Sequence, residues 1–465
     1  MQFIKENRAV LLLLIFLFSS CCFFCFITRD QENLLITFYA VSFVSYLVLM
    51  YLFLIKKKPF KLSYLLAFAV LIRLVMFTSF PTLSDDFFRF SWDGNVVLDG
   101  NNPYKYKPIS YNFSEDQIND FAQNNLLSSS ETSFKDGMNS KHYFSVYPPL
   151  TQCIFTFCSF IGGKNLFNNV LFLRIILLCF EIIGWIFMLK ILAHFKVDSI
   201  NSMLYVLNPL VVLELSGNLH FEGITFTFLL ISFYFLFVNK YIFSGVAFAL
   251  AIGLKLIPLM FLPLIVYKIG IKKALPFLFT VCLSCALFFL PFFNIHLLTN
   301  FLESIELYFH TFEFNASIYY VLRWIGEFVT GNNQIEIIGS ITPFITVVAI
   351  LILTVKSKSS DNWCSLMRKM TWILLIYFAV ASIVHPWYIV YLIGFSVFTG
   401  YVFPVAWSGL VFLSYMAYQN IGVVEEEPIL IFIEYFIVLL AVIYDLNQKK
   451  IISFFLKGDD LKLPA

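Results

Sequence analysis

The sequence predicts an all-α polytopic membrane protein. Of its 465 residues, 60% are hydrophobic and 13% charged, whereas a soluble domain carries about a quarter charged residues. Apolar runs long enough to cross a bilayer, about 20 residues each, recur from end to end. Lysines and arginines gather in alternate turns between those runs, as expected of turns that stay in the cytoplasm. Open strand edges are not tolerated in lipid, so the spans are helices.

The first run, KENRAVLLLLIFLFSSCCFFCFI, begins like a signal peptide. It is long enough to span and shows no small-x-small cleavage site, so it is expected to be an uncleaved anchor. Further runs begin near residues 34, 62, 169, 200, 221, 274, 338, 370, 387, 404 and 428. Residues 241–268 fit a hairpin of two short helices with Lys255 near its tip. With that hairpin the expectation is roughly twelve to fourteen spans in one integral membrane domain, residues 1–465. Residues 147–165, opened by Tyr147-Pro148-Pro149, are expected to form a broken, interfacial helix.

Lys5, Arg8, Lys56–Lys58, Lys61, Lys190, Lys196, Lys240, Lys268, Lys272, Lys273, Lys356, Lys358, Arg368, Lys369, Lys449 and Lys450 mark the cytoplasmic turns. The loops 82–146 and 293–337 then fall outside, with shorter outside turns near 217–222, 385 and 420–428.

A net charge of +2 gives no reason to expect a nucleic-acid partner. The nine cysteines lie mostly in apolar runs, and the six histidines show no HExxH or other ligand spacing, so neither a metal nor a cofactor is expected. Glu425–Glu427 read as a solvated loop, and Trp387 with Tyr388 as part of an interfacial aromatic belt.

Within this topology the unusual polar residues converge on one face. They are the stretch SDDFFRFSWDGNVVLDGNNPY (residues 84–104), Tyr147, His220 with Glu222, Lys255, Glu313 with Asn315, and His385 with Tyr388. Ionisable groups at membrane depth are costly and mark sites. Asp85 and Asp86 are candidates for a general base, or simply for a helix cap. Lys255, alone in AIGLKLIPLMFLPL, suits a lipid-linked phosphate, or snorkels to the interface.

The order S-D-D-x-x-R-F-x-W-D-G (Ser84–Gly94), G-x-N-P-Y-x-Y-x-P (Gly100–Pro108) and Y-P-P-L (Tyr147–Leu150) resembles the first extracytoplasmic loop of GT-C glycosyltransferases. It is most similar to bacterial mannosyltransferase-like members that use polyprenyl-phosphate sugars. Lys255 to Pro258 and His385 to Tyr388 look like later segments of that group.

The resemblance implies a GT-C-type helix bundle in a bacterial inner (cell) membrane, with its site outside the cytoplasm. It implies an inverting transferase moving a hexose, mannose by its nearest likeness, from a polyprenyl-phosphate donor to a lipid or glycan acceptor. The catalytic base would be Asp86 or Asp85, with Asp86 the expected one because D-x-x-R places it on a helical face with Arg89. Lys255, Arg89 and His385 would hold the donor phosphate. Trp92, Asp93, Asn102, Tyr104, Tyr147, His220, Glu222, Glu313, Asn315 and Tyr388 would line the substrate site. A transporter or lipid flippase is the other reading, since broken helices and buried charges also mark substrate pathways. The absence of a repeat and the clustering at one face weigh against it.

Overall fold

A computed structural model describes residues 2–110, 138–163, 165–357, 362–418 and 424–455. Residues 111–137 of the predicted 82–146 loop, together with Lys358 and part of the 420–428 turn, lie outside the described residues.

The chain runs as helices, and the order follows the apolar runs of the sequence. These are α1 (Gln2–Phe24), α2 (Glu32–Ile55), α3 (Leu62–Thr78), α4 (Asp86–Leu98), α5 (Pro149–Gly162) and α6 (Leu166–His194). There follow α7 (Ser199–Val206), α8 (Pro209–Gly217), α9 (Glu222–Phe237), α10 (Tyr241–Ile252), α11 (Ile257–Ile269) and α12 (Ile271–Phe292). The last are α13 (Leu297–His310), α14 (Ile318–Thr330), α15 (Ile335–Val355), α16 (Trp363–Val380), α17 (Pro386–Thr399), α18 (Phe403–Tyr418) and α19 (Pro428–Phe455).

This is an all-α polytopic membrane protein. By length and composition, seven helices can cross a bilayer among the described residues: α1, α2, α6, α12, α15, α16 and α19. The bent pair α7–α8 makes an eighth. The other apolar runs become helices of 10–17 residues, including the α10–α11 hairpin and the short α5. The expected count of twelve to fourteen took these short helices, apart from α5, as crossings.

Local chemistry explains the irregular elements that carry the polar residues. Asn208-Pro209 divides α7 from α8 at a 60° bend. Proline pushes the residue before it out of helical geometry and tolerates the first helical position. Asn208 Oδ1 accepts from Leu210 N at 2.9 Å, and its Nδ2 donates to Ser408 Oγ at 2.9 Å. The final turn of α8, Leu213–Gly217, widens to a π-helix, a distortion found often at functional sites.

Buried charges fix how the helices meet. Arg73 of α3 pairs with Glu181 of α6 at 2.7 Å, both side chains almost wholly shut from solvent. Arg174 of α6 donates to the Ser216 and Gly217 carbonyls at 2.9 and 3.1 Å and also to the Ser79 carbonyl. One guanidinium thus ties the turn after α3 to the final turn of α8. A buried charge with this many acceptors is satisfied, where an unpaired one would be severely destabilising.

The helix ends form two groups. At one, Lys58 Nζ donates to the Glu6 carbonyl at 2.9 Å, Lys268 lies 5.3 Å from the Trp363 ring, and Phe237 packs on Trp363 and His194. This end collects the basic turns. The other brings together the turn after α1, the start of α4, Tyr147, the α8–α9 turn, the α10–α11 tip and the start of α17.

Candidate active site

The stretch that opens α4 decides between a helix cap and chemistry. Asp85 occupies the cap position, yet its side chain makes no cap hydrogen bond. Ser84 Oγ accepts from Asp86 N at 3.3 Å instead. Asp85 forms an ion pair with Arg29, from the turn between α1 and α2. Asp86 faces a different set: it lies in the field of Lys255 and is hydrogen-bonded to the Tyr147 side chain. Burial raises its carboxyl above the ordinary aspartate range, against the pull of Lys255 and Tyr147 towards the ionised form.

Lys255 reaches this place because the α10–α11 tip docks on the start of α5. Leu150 N donates to the Gly253 carbonyl at 3.1 Å, and Thr151 Oγ1 donates to the Leu254 carbonyl at 3.1 Å. A Cβ on Gly253 would stand 3.1 Å from both Leu150 and Phe288, so the close approach is made for glycine. Lys255 Nζ lies 3.1 Å from Glu222 Oε1 and 5.8 Å from the Tyr147 ring centroid. Glu222 is fully buried, while the lysine side chain keeps 22% of its surface.

Both histidines stack on one indole. The His220 and His385 rings lie 3.8 and 4.2 Å from the Trp387 ring centroid, at 20° and 14° to its plane. Trp387, expected in an interfacial belt, is half-buried and packs against both imidazoles. Its own ring is held by two imidazoles, and Phe314 continues the stack 4.9 Å from His385. Burial, then the nearby charge of Lys255, holds both imidazoles below the usual histidine range. They are neutral at physiological pH and bring hydrogen bonds rather than charge.

The turn carrying His220 is strained and anchored. Leu219 takes φ +67° while fully buried, an outlier for a bulky residue that persists only where its surroundings over-determine it. His220 N donates to the Glu214 carbonyl at 3.0 Å, and His220 Nε2 lies 3.5 Å from the Glu214 carboxylate. Asn218 Nδ2 and Tyr415 OH also donate to Glu214, at 3.1 and 2.8 Å.

The other expected site residues are engaged elsewhere. Arg89 turns from Asp86 to Asp93, Nε to Oδ1 at 2.7 Å, and donates to the Ser140 and Tyr143 carbonyls. The i+4 pairing wins over the expected i+3 one. Asp93 Oδ2 accepts from Ser145 Oγ at 2.6 Å and Gln152 Nε2 at 2.9 Å. Asn102 donates to the Phe292 carbonyl at 2.7 Å, and Tyr104 OH donates to the Tyr147 carbonyl at 2.6 Å. Trp92 is buried in the apolar cluster around α4 and α5. These residues shape the loop that presents Tyr147.

Glu313 is bonded to Tyr319, Asn333 and Arg323. Asn315 donates to Glu434 at 3.2 Å. Tyr388 packs beside His385 and Phe378. Glu426 is not solvated as expected: it accepts from Asn315 N and Tyr320 OH, although Glu425 and Glu427 are exposed.

Arg29 and Glu214 escaped the sequence reading. Arg29 sits in a short turn where a charge is ordinary. Glu214, in an apolar run five residues after Pro209, carried the same intramembrane-charge signal as Lys255.

The multispan helical bundle gathers a carboxylate, a lysine and two imidazoles at one end, and the family of the chain fits the GT-C likeness seen in the sequence. A family model described as alpha-(1->6)-mannopyranosyltransferase, N-terminal domain (the MptA_B family) matches residues 23–270. That is more than half of the chain, which belongs to this family and is a mannosyltransferase-type membrane enzyme. The match spans Arg29, Asp85, Asp86, Tyr147, His220, Glu222 and Lys255. No curated protein and no solved structure matches the chain. Enzyme membership removes the transporter reading.

Proposed function

We propose that the enzyme transfers mannose with inversion from a polyprenyl-phosphate donor to a hydroxyl of a lipid or glycan acceptor. The reaction takes place at the face opposite the basic turns, which the positive-inside rule puts outside the cytoplasm; the membrane is a bacterial inner membrane. The observation that carries this reading is the half-buried Asp86 held between Lys255 and Tyr147.

A sugar on a lipid phosphate already has a good leaving group, so the demand on the protein is for a base and a phosphate counter-charge. Asp86 takes the proton of the acceptor hydroxyl while that oxygen forms a bond to the anomeric carbon. The bond from that carbon to the phosphate oxygen breaks, and its electron pair leaves with the polyprenyl phosphate. A base whose pKa is raised by burial is stronger than a solvated aspartate and suits this step. Lys255 is partly exposed at the tip of its hairpin and stabilises the phosphate as charge develops there. Neutral His220 and His385 contribute hydrogen bonds and shape. Asp93, Asn102 and Tyr104 hold the loop that presents Tyr147.

Purified protein in liposomes, given a panel of radiolabelled polyprenyl-phosphate sugars, tests this by transfer of label to lipid extracts. Label should move from the mannosyl donor in an Asp86-dependent way. No transfer from any polyprenyl-phosphate sugar to an acceptor-containing extract would remove the proposed donor.

A further inference from the structure

We propose that Arg29 is a second cation of the donor site, paired with Asp85 and transferred from it to the leaving phosphate during the reaction. This rests on the transferase reading above.

The arginines differ in how fully the protein uses them. Arg73, Arg89 and Arg174 are buried, and each is held by two or more acceptors of the scaffold. The Arg29–Asp85 pair is different: the side chains keep 27% and 30% of their surface, so the pair stands at the mouth of the site. Its guanidinium carbon lies 5.9 Å from the Tyr418 ring centroid, and the Tyr418 phenol feels the charges of Arg29, Asp85 and Asp86 together. The bonds described for its guanidinium go to one carboxylate oxygen, Asp85 Oδ1. A guanidinium has five donors in a planar fork that fits phosphate bidentately. A partly exposed carboxylate partner is screened by solvent and holds its guanidinium weakly, so a phosphate can displace it.

The charge balance of the reaction gives the second cation a task. The donor is a phosphodiester carrying one negative charge. When the anomeric C–O bond breaks, the electron pair goes to the phosphate oxygen, and the product is a monoester with a charge of about −1.5 to −2 at neutral pH. Lys255 already shares its charge with Glu222, so a second cation has a task as charge builds on the phosphate. Arg89 is committed to Asp93, and the histidines are neutral. Asp85 is adjacent to the base in sequence, so a guanidinium leaving it stays beside the reacting groups.

The test is binding of undecaprenyl phosphate, a monoester, to the purified full chain in nanodiscs, with undecaprenol as the phosphate-free control. Thermal stability of each variant is checked in parallel. Arg29→Gln should weaken undecaprenyl phosphate about 10-fold or more, and Arg29→Lys should restore part of it. Asp85→Asn should strengthen binding, because it frees Arg29. A folded Arg29→Gln that binds like wild type while Lys255→Met binds weakly would overturn the inference and leave the transferase reading standing. Weaker binding by a folded Asp85→Asn would likewise overturn it, since Asp85 would then be no competitor. If wild type prefers undecaprenyl phosphate no more than undecaprenol, the donor reading itself falls and this inference with it.

Discussion

Lys255 Nζ stands 3.1 Å from Glu222 Oε1, joining the α10–α11 tip to the start of α9. The glutamate is fully buried and the lysine is not. This asymmetry gives the lysine two duties: one face neutralises Glu222 and the other meets solvent. Lys255→Met should therefore weaken donor binding by about 10- to 100-fold, the worth of a charged hydrogen bond. It should also destabilise the protein by stranding Glu222. Adding Glu222→Gln should recover thermal stability but not donor affinity. Recovery of both, measured by unfolding in detergent and by donor binding, would return Lys255 to a structural role.

Asp86→Asn should lower turnover about 10²–10⁴-fold while donor binding stays near wild type, because a positioned base acts in the transition state. The acid limb of the rate profile follows from burial. In the proposed mechanism the base works ionised, and burial raises the Asp86 carboxyl, so activity should fall on acidification at a higher pH than a solvated aspartate would give. Tyr147→Phe removes a hydrogen bond that favours the ionised form, so the limb should move to still higher pH. A limb that moves down, or not at all, would detach Tyr147 from the base.

Both oxygens of Asp93 are committed to the scaffold, to Arg89 on one side and to Ser145 and Gln152 on the other. Asp93→Ala strands a buried guanidinium and should cost about 3–5 kcal/mol of stability. Gly94→Ala should also destabilise, since a Cβ there would meet the Phe155 carbonyl oxygen and Ser159 Oγ at 2.5 Å. Thermal unfolding in detergent checks both. An Asp93→Ala protein of unchanged stability and lost activity would instead place Asp93 among the reacting groups.

Orientation can be read with two single cysteines in a cysteine-free background. Asn101 is exposed on the segment that continues α4, and Lys240 is exposed on the α9–α10 turn. A membrane-impermeant maleimide applied to intact cells should label Asn101→Cys and leave Lys240→Cys unlabelled. The reverse pattern would put the Asp86 end in the cytoplasm.

Much of this fold is written in hydropathy, because about twenty apolar residues have few alternatives in lipid. The run beginning near residue 34 became α2, and the 241–268 segment became the hairpin with Lys255 at its tip. Lys255 itself was legible because a lone charge among apolar residues stands out. The partners of polar residues were not. D-x-x-R suggested Asp86 with Arg89, but the same helix offers Asp93 four residues after Arg89, and sequence spacing cannot rank two neighbours on one face. The bond from Arg29 to Asp85 crosses 56 residues and leaves no periodic trace. Glu425–Glu427 read as uniform charge, yet Glu426 alone turns inward to meet Asn315 and Tyr320.

The same Arg29 contact has a practical consequence for the first helix. α1 looks dispensable to anyone trimming a charged, greasy leader before expression. Yet Arg29 follows it by five residues, and Val10, Leu14, Leu17 and Cys21 of α1 are packed into the main core. Clipping the leader would leave Arg29 on a loose new terminus and Asp85 without its counter-ion. Affinity tags and cleavage sites therefore belong at the far end of the chain, beyond α19, where no described contact of the reaction centre is at stake.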